Sequence, residues 1–336
     1  MRQLRWSSLI WLLVLSSLRT LTRGGGSADA DDDGCAVTGV PRAREAVEAA
    51  RLLRDYGAVV MEDLATSDTM DVLAADLAKD TSGTFFGSKD SFAGATTSRN
   101  AAKPLGESAV ARELATSEKV LAVVDDILKP YCKRIILGTC SAIDVSPGGA
   151  PQVLHRDDSM WASELLCGSE IHFSVSVMWA VSDFDEANGA TRVALHSHEG
   201  CPRQNGTEPV AAATMAKGSA LLWLGGTLHG AGGSSATTTT VAKNLENKAK
   251  RRGLLFIYNL GFLRSEHNFH NAIPPDVIRS FPKDLRDLLG YDGQNAVEHQ
   301  WYTGPVYAQP YLGGPKGSAS GDGVQFTLLQ KKNTTS

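Results

Sequence analysis

The chain has 336 residues, is 42 % hydrophobic and 21 % charged, and carries a formal net charge of −4. That composition supports a large apolar core and excludes wholesale disorder. The acidic balance supplies no basic field for a phosphate backbone, which removes nucleic acid from the expected partners.

Arg2 and Arg5 precede an apolar run from Leu9 to Leu15 that contains Trp11, and Arg19, Arg23 and three glycines follow. The run falls short of the roughly 20 apolar residues that a stable membrane span needs, but it suits the core of a signal peptide. Residues 1–26 are therefore read as a signal, targeting or anchor segment. This gives the secretory pathway or an organelle as the expected location, with the cytoplasm as the alternative. Residues 27–40, with the acidic stretch Ala28 to Gly34, are read as a linker.

From Pro41 the spacing of Ala43, Val47, Ala50, Leu52 and Leu53 predicts a helix that ends before Gly57. A strand Ala58 to Met61 and a helix Thr69 to Leu77 follow. The Gly/Ser/Thr-rich stretch Thr81 to Glu107 reads as a functional loop, and Ser108 to Leu128 as a third helix. Strand signals then take over at Ile135 to Leu137, Ser141 to Val145, Ile171 to Val181, Ala220 to Leu224 and Gly253 to Tyr258. Ser280 to Leu289 reads as a closing helix, with Ser280 as N-cap, Pro282 in its first turn and Gly290 as its stop. Helices first and short strands afterwards predict an α+β domain over residues 41–295 whose catalytic half is a β sandwich or barrel. Residues 296–336 read as an extended or disordered tail. The five cysteines are odd in number and form no Cys-x-x-Cys pair, so they are read as small buried hydrophobes.

The chemistry concentrates in Gln152-Val153-Leu154-His155-Arg156-Asp157-Asp158. In an extended segment, side chains two apart share a face, so His155 and Asp157 converge while Arg156 points away. The best third ligand is His229, which follows the apolar strand Ala220 to Leu224 and the small residues Gly225 and Gly226. Two histidines and one carboxylate are the facial triad of non-haem iron(II) oxygenases, with open positions for cosubstrate and dioxygen. His-x-Asp alone also arises by chance, and a zinc hydrolase uses similar ligands.

The order of motifs narrows this. His-x-Asp is followed by Trp179-Ala180-Val181, then Asn188-Gly189-Ala190-Thr191-Arg192-Val193, a Ser197-His198 pair, the His229 strand, Arg251-Arg252-Gly253-Leu254, Leu260 to Arg264 and Leu288 to Tyr291. From Ala46 to Asp292 this resembles the phytanoyl-CoA dioxygenase family. The resemblance implies a double-stranded β-helix, an iron(II) centre, 2-oxoglutarate as cosubstrate and dioxygen as oxidant, with ascorbate as a further candidate. It also implies hydroxylation or a related oxidation of a small organic, lipid or acyl substrate, with release of succinate and carbon dioxide. Residue by residue, it implies His155, Asp157 and His229 as metal ligands and Arg251 as the anchor for the far carboxylate of oxoglutarate. Trp179 and Gln152 would line the cosubstrate pocket. The sequence departs from the family at Leu195-His196-Ser197-His198, at Ala231, and in the long stretch Gly232 to Lys250, read as lying over the barrel mouth. Two rival readings are a non-catalytic barrel that has lost oxoglutarate turnover and a zinc-dependent hydrolase. The sequence gives no oligomeric state.

Overall fold

The computed structural model describes residues 39–79, 85–86, 97–101, 103–161, 171–199, 209–234 and 250–291. The proposed targeting segment, the tail, His299, Cys35, Cys167, Cys201 and most of the stretch after Gly232 lie outside them.

After a short strand β1 (Arg42–Ala43), helix α1 spans Ala46–Tyr56 and buries Ala49, Ala50, Leu52 and Leu53. Its outer face carries Glu48, Arg51 and Asp55, paired at helical spacing. The helix stops at Gly57, whose φ of +78° turns its N–H onto the Leu53 carbonyl at 2.9 Å. A Cβ at Gly57 would run into His198 and Thr227, so this stop also seats α1 against the loops near the site. Strand β2 (Ala58–Met61) follows at once and is buried throughout, as its unbroken apolar run predicts. Helix α2 (Ser67–Lys79) buries Met70, Leu73 and Leu77.

Two expectations need correction here. The stretch read as a loop contains β3 (Phe85–Phe86), β4 (Thr97–Ala101) and the short helix α3 (Pro104–Glu107). The single helix expected over Ser108 to Leu128 is two, α4 (Ala109–Ala115) and α5 (Glu118–Leu128). The break is at Thr116, whose hydroxyl donates back to the Arg112 carbonyl, and at Ser117, the N-cap residue of α5.

The strands β5 (Ile135–Val145), β6 (Ser174–Ala180), β9 (Ala220–Leu224) and β11 (Arg251–Leu260) are the heart of an eight-stranded sheet ordered β1-β2-β9-β6-β11-β5-β4-β3. Its pairings are antiparallel apart from β1 with β2. The two strands expected within 135–145 are one, bulged at Gly138: Ile257 pairs with Thr139 and Tyr258 with Leu137. A second sheet joins β7 (Arg192–Val193), β8 (Ala211–Ala212) and β10 (His229–Gly230) in the order β10-β7-β8. The described strands thus form two sheets rather than one closed ladder.

Side-chain alternation divides the large sheet into two cores. Val175, Val177, Trp179, Leu254, Phe256 and Tyr258 pack with α1, α2 and α5 on one face. Met178, Leu255, Ile257, Ile143 and Trp223 pack toward Val193 and Ala213 on the other. The helices therefore close one face and leave the space between the sheets for the site.

After β11 come α6 (Phe269–Ala272), α7 (Pro275–Arg279) and α8 (Lys283–Leu288). Ser280 ends α7 instead of starting α8, because Pro282 occupies the N-cap position of the later helix. Among the described residues no helix is long and apolar enough to cross a membrane. Cys140 is buried and Cys132 partly so, and both are free thiols.

Candidate metal centre

His155 and His229 face each other across a single antiparallel bridge, each N–H donating to the other's carbonyl at 2.9 and 3.0 Å. The bridge lays the Gln152 to His155 segment along β10, beside the small sheet. After it the chain turns into a 3₁₀ helix, Asp157–Trp161. Asp157 is thereby brought under both imidazoles. Its Oδ1 lies 3.5 Å from His229 Nε2 and 3.8 Å from His155 Nε2, and the three donor atoms fall within 4.8 Å of one another.

The surroundings prepare each donor for a cation. His155 Nδ1 sits 3.2 Å from the Val153 carbonyl and His229 Nδ1 sits 3.0 Å from that of Thr227. The proton is therefore assigned to Nδ1 in both rings, which turns the Nε2 lone pairs inward. Ser176 Oγ and Trp223 Nε1 donate to Asp157 Oδ2 at 2.7 and 3.1 Å, leaving Oδ1 to face the histidines. Burial pushes the Asp157 carboxyl up, but His229, His155 and these two hydrogen bonds outweigh it and hold it below its ordinary value. Two imidazoles and one carboxylate at this spacing fit one divalent ion with ligand bonds of about 2.1 Å.

A cavity of about 290 Å³ opens beside the three donors. Arg251 reaches into it from the start of β11 and is 1 % exposed. One Nη donates to Thr191 Oγ1 at 3.0 Å, and the guanidinium lies 4.4 Å from the centre of the Phe184 ring. Arg251 Nε is buried with no hydrogen-bond partner, and no ion pair forms to Arg251 among the described residues. Burial pulls this guanidinium down to about 10, still charged at neutral pH. A buried cation with a spare donor fits a carboxylate ligand. Arg252 points the other way and forms a two-pronged pair with Asp144 at 2.8 and 2.9 Å.

Gln152 also lines the cavity: its Oε1 accepts from the Ala231 N–H, and its buried Nε2 has no partner. Trp179 does not reach the cavity; it packs with the helices in the opposite core. The reason is parity along β6, where Ser174, Ser176 and Met178 face inward and Trp179 outward. The indole at the site is that of Trp223 instead. Asp158 is 3 % exposed and lies behind the site, accepting from Ser174 Oγ at 2.5 Å. Burial pushes its carboxyl up to about 7.

The remaining histidines have local roles. His196, at φ +62°, contacts Glu199 at 3.0 Å, and His198 Nε2 meets the Arg54 carbonyl at 2.8 Å. Neither joins a metal cluster among the described residues. Burial pulls the His172 imidazole down to about 4. His267 lines the cavity and His270 stacks on Tyr291 at 4.2 Å. Sequence reasoning also missed Ser176, Thr191, Phe184 and Glu266. The available signal for Ser176 was its place beside Ser174 on one face of an otherwise apolar strand.

Two facing sheets with two imidazoles and a carboxylate between them define a metal-binding β sandwich. The sequence profile of phytanoyl-CoA dioxygenase matches residues 53–239, more than half of the chain, and the chain belongs to that family. Among curated relatives, dioxygenase trt7 of Aspergillus terreus is 27 % identical over 267 residues, covering 76 % of this chain and 86 % of that protein. Dioxygenase cdmA of Talaromyces verruculosus is 25 % identical over 177 residues, which span 51 % of this chain and only 55 % of that relative. Among solved structures, HygX from Streptomyces hygroscopicus with nickel and 2-oxoglutarate bound superposes with a TM-score of 0.51 at 15 % identity, covering 65 % of this chain and 88 % of that one. That likeness supports the fold.

Proposed function

We propose that this chain is an iron(II)- and 2-oxoglutarate-dependent dioxygenase. In this reading one oxygen atom of dioxygen enters an organic substrate and the other enters succinate, with loss of carbon dioxide from oxoglutarate. The observation that carries the proposal is the pairing, in one cavity, of the His155, Asp157 and His229 donors with the buried Arg251 guanidinium. A zinc hydrolase gives no reason to bury an arginine with an unpartnered Nε. The family membership and the metal and oxoglutarate held by the structurally similar HygX point the same way.

His155, Asp157 and His229 would hold the iron, which supplies the oxidising power when bound. The protein's own part is placement. Arg251, fixed by Thr191 and Phe184, would pair with the far carboxylate of oxoglutarate, and Gln152 Nε2 would donate to a cosubstrate oxygen. Met178, Leu255 and Ile143 line the cavity with hydrocarbon and keep water from the reacting carbon. Ser176 and Trp223 keep Asp157 aimed. The substrate in this reading is a small organic, lipid or acyl molecule, and residues 1–26 are a targeting segment.

The test is succinate formation from oxoglutarate by the purified protein under air. Turnover that requires iron(II), is not restored by zinc(II), and disappears in His155→Ala supports the proposal. Zinc-dependent hydrolysis without succinate would refute it.

A further inference from the structure

Arg192 does not line the cavity, yet it holds the segment that carries His155. It sits on β7 directly opposite Gly230 of β10, and the neighbouring pair is Val193 with His229. Residues opposite each other on antiparallel strands share a face, and consecutive residues alternate. Val193 packs into the core that holds Met178 and Leu255, so Arg192 stands on the other face of the small sheet. Across Gly230, which has no side chain to obstruct it, one Arg192 Nη donates to the Gln152 carbonyl at 2.7 Å. A Cβ at Gly230 would lie 3.2 Å from the Gln152 and Val153 carbonyl oxygens alike, which is why a glycine is needed there. This bond is the one the Arg192 side chain makes among the described residues, and its Nε is buried without a partner. A charged donor on a carbonyl is among the stronger hydrogen bonds.

What Arg192 holds is an irregular piece of backbone. His155 and His229 exchange both of their backbone hydrogen bonds, and in a regular antiparallel pair Val153 and Ala231 would come next and do the same. Instead the Gln152 N–H donates to the Ala231 carbonyl at 3.0 Å, and the Ala231 N–H turns to Gln152 Oε1 at 3.0 Å. Three steps along the chain from Gln152 to His155 thus stand against two from His229 to Ala231, which makes a β-bulge of one extra residue. Val153 is turned outward by it and is 69 % exposed. The Val153 carbonyl, released from the ladder, lies 3.2 Å from His155 Nδ1. The Gln152 carbonyl, released in the same way, is the one that Arg192 takes.

We infer that Arg192 is a positioning residue for His155: its bond to the Gln152 carbonyl locks the bulge, and the locked bulge keeps the Val153 carbonyl on Nδ1 and aims Nε2 at the metal. The inference rests on the reading of His155, Asp157 and His229 as metal ligands. The two imidazoles differ in this respect, because His229 Nδ1 faces the Thr227 carbonyl within its own turn, away from the bulge. Loss of the Arg192 donor therefore loosens one ring and leaves the other in place.

The test uses the full chain loaded with cobalt(II), whose paramagnetism moves the proton signals of bound imidazoles clear of the rest of the NMR spectrum. The parent protein should show two exchangeable signals, from Nδ1–H of His155 and of His229. The His229 signal is identified by its nuclear Overhauser contact with the Trp223 ring, whose centre lies 4.6 Å away. In Arg192→Met, which keeps the stem and loses the donor, the His155 signal should vanish by exchange with water while the His229 signal stays. Iron(II) affinity, measured by calorimetry under nitrogen, should fall about tenfold or more, the usual size when a group that holds a metal ligand is lost. Arg192→Lys keeps a charged donor on a long stem and should restore the signal and most of the affinity. Gly230→Ala, which drives a methyl group at the same two carbonyls, should repeat the selective loss with the arginine intact, and it carries the test if Arg192→Met does not fold. Parental signals and affinity in Arg192→Met or Gly230→Ala, loss of both signals together, or an Arg192→Lys protein as impaired as Arg192→Met would each overturn the inference while the metal site stands. If the parent protein binds neither cobalt(II) nor iron(II), the metal reading itself fails.

Discussion

Arg251 carries a positive charge at 1 % exposure, and among the described residues its side chain meets Thr191 and the Phe184 ring. Burying a charge without a counter-ion costs several kcal/mol, and a cation–π contact offsets roughly 2 kcal/mol of that. The free protein is therefore strained at this residue for the sake of its ligand. Arg251→Gln should leave the thermal stability of the free protein unchanged or slightly raised, while the oxoglutarate KM rises roughly tenfold or more. Arg252→Gln should do the reverse, because it strips Asp144 of a two-pronged partner: a loss of about 1–3 kcal/mol of stability with little change in KM. Equal KM values for the two variants would make Arg251 a structural residue. At the same scale, Ser176→Ala removes the 2.7 Å hydrogen bond that aims Asp157. Iron affinity should fall about 10–100-fold, as is usual when a group holding a metal ligand is lost. Titration calorimetry with iron(II) under nitrogen would measure it, and unchanged affinity would exclude a positioning role.

At the scale of elements, the turn between β9 and β10 ties the metal ligands to the large sheet. Gly225 donates its N–H to the Ser174 carbonyl at 2.9 Å and accepts from the Asp158 N–H at 3.1 Å. A Cβ at Gly225 would run into the side chains of Asp158 and Ser174, both packed without free space. At Gly226 a Cβ would come no nearer than 4.0 Å to His198 Cβ. Gly225→Ala should therefore push the Asp157–Trp161 helix off its seat and weaken iron binding by at least about tenfold, whereas Gly226→Ala should stay within about 0.5 kcal/mol of the parent in stability. Parental iron affinity in Gly225→Ala would show that this brace does not position Asp157. The glycines were visible in the sequence, but what each one touches was not. The same limit separates the elements that sequence patterns located from those they missed. β2 and β9 are continuous apolar runs, one starting after Gly57 and the other ending before Gly225, so their limits could be read directly. The break between α4 and α5 was hidden because Leu114, Leu121, Val124 and Leu128 keep helical apolar spacing across Thr116 and Ser117. β3 and β4 escaped because pairing with distant β5, and not local composition, makes them strands. The His155 and Asp157 pair was legible as His-x-Asp, although a turn into the 3₁₀ helix and not strand alternation brings Asp157 to the imidazoles, while Trp179 was misplaced by overlooking the parity along β6.

At the scale of the whole molecule, both hydrophobic cores and every described site residue fall within residues 40–291. By its contacts the chain divides between Ala36 and Val37, and the second unit is Val37–Ser336. The second unit holds the metal donors, the arginine and the helices that back the large sheet, so it contains all that ligand binding requires. A chain starting at Val37 should fold and bind iron(II) and oxoglutarate as the full chain does. Ligands that bind only the native state raise its stability by RT ln(1 + [L]/Kd), about 2.7 kcal/mol at a hundredfold excess over Kd. For a unit of this size each kcal/mol moves Tm by about 2–4 °C, so iron(II) and oxoglutarate together should raise Tm by roughly 5–10 °C in both chains. His155→Ala and Asp157→Ala should abolish most of that rise in either length. A rise in the full chain but not in the shortened one would mean that the first 36 residues contribute to the site. An undiminished rise in both variants would place the ligands elsewhere in the molecule.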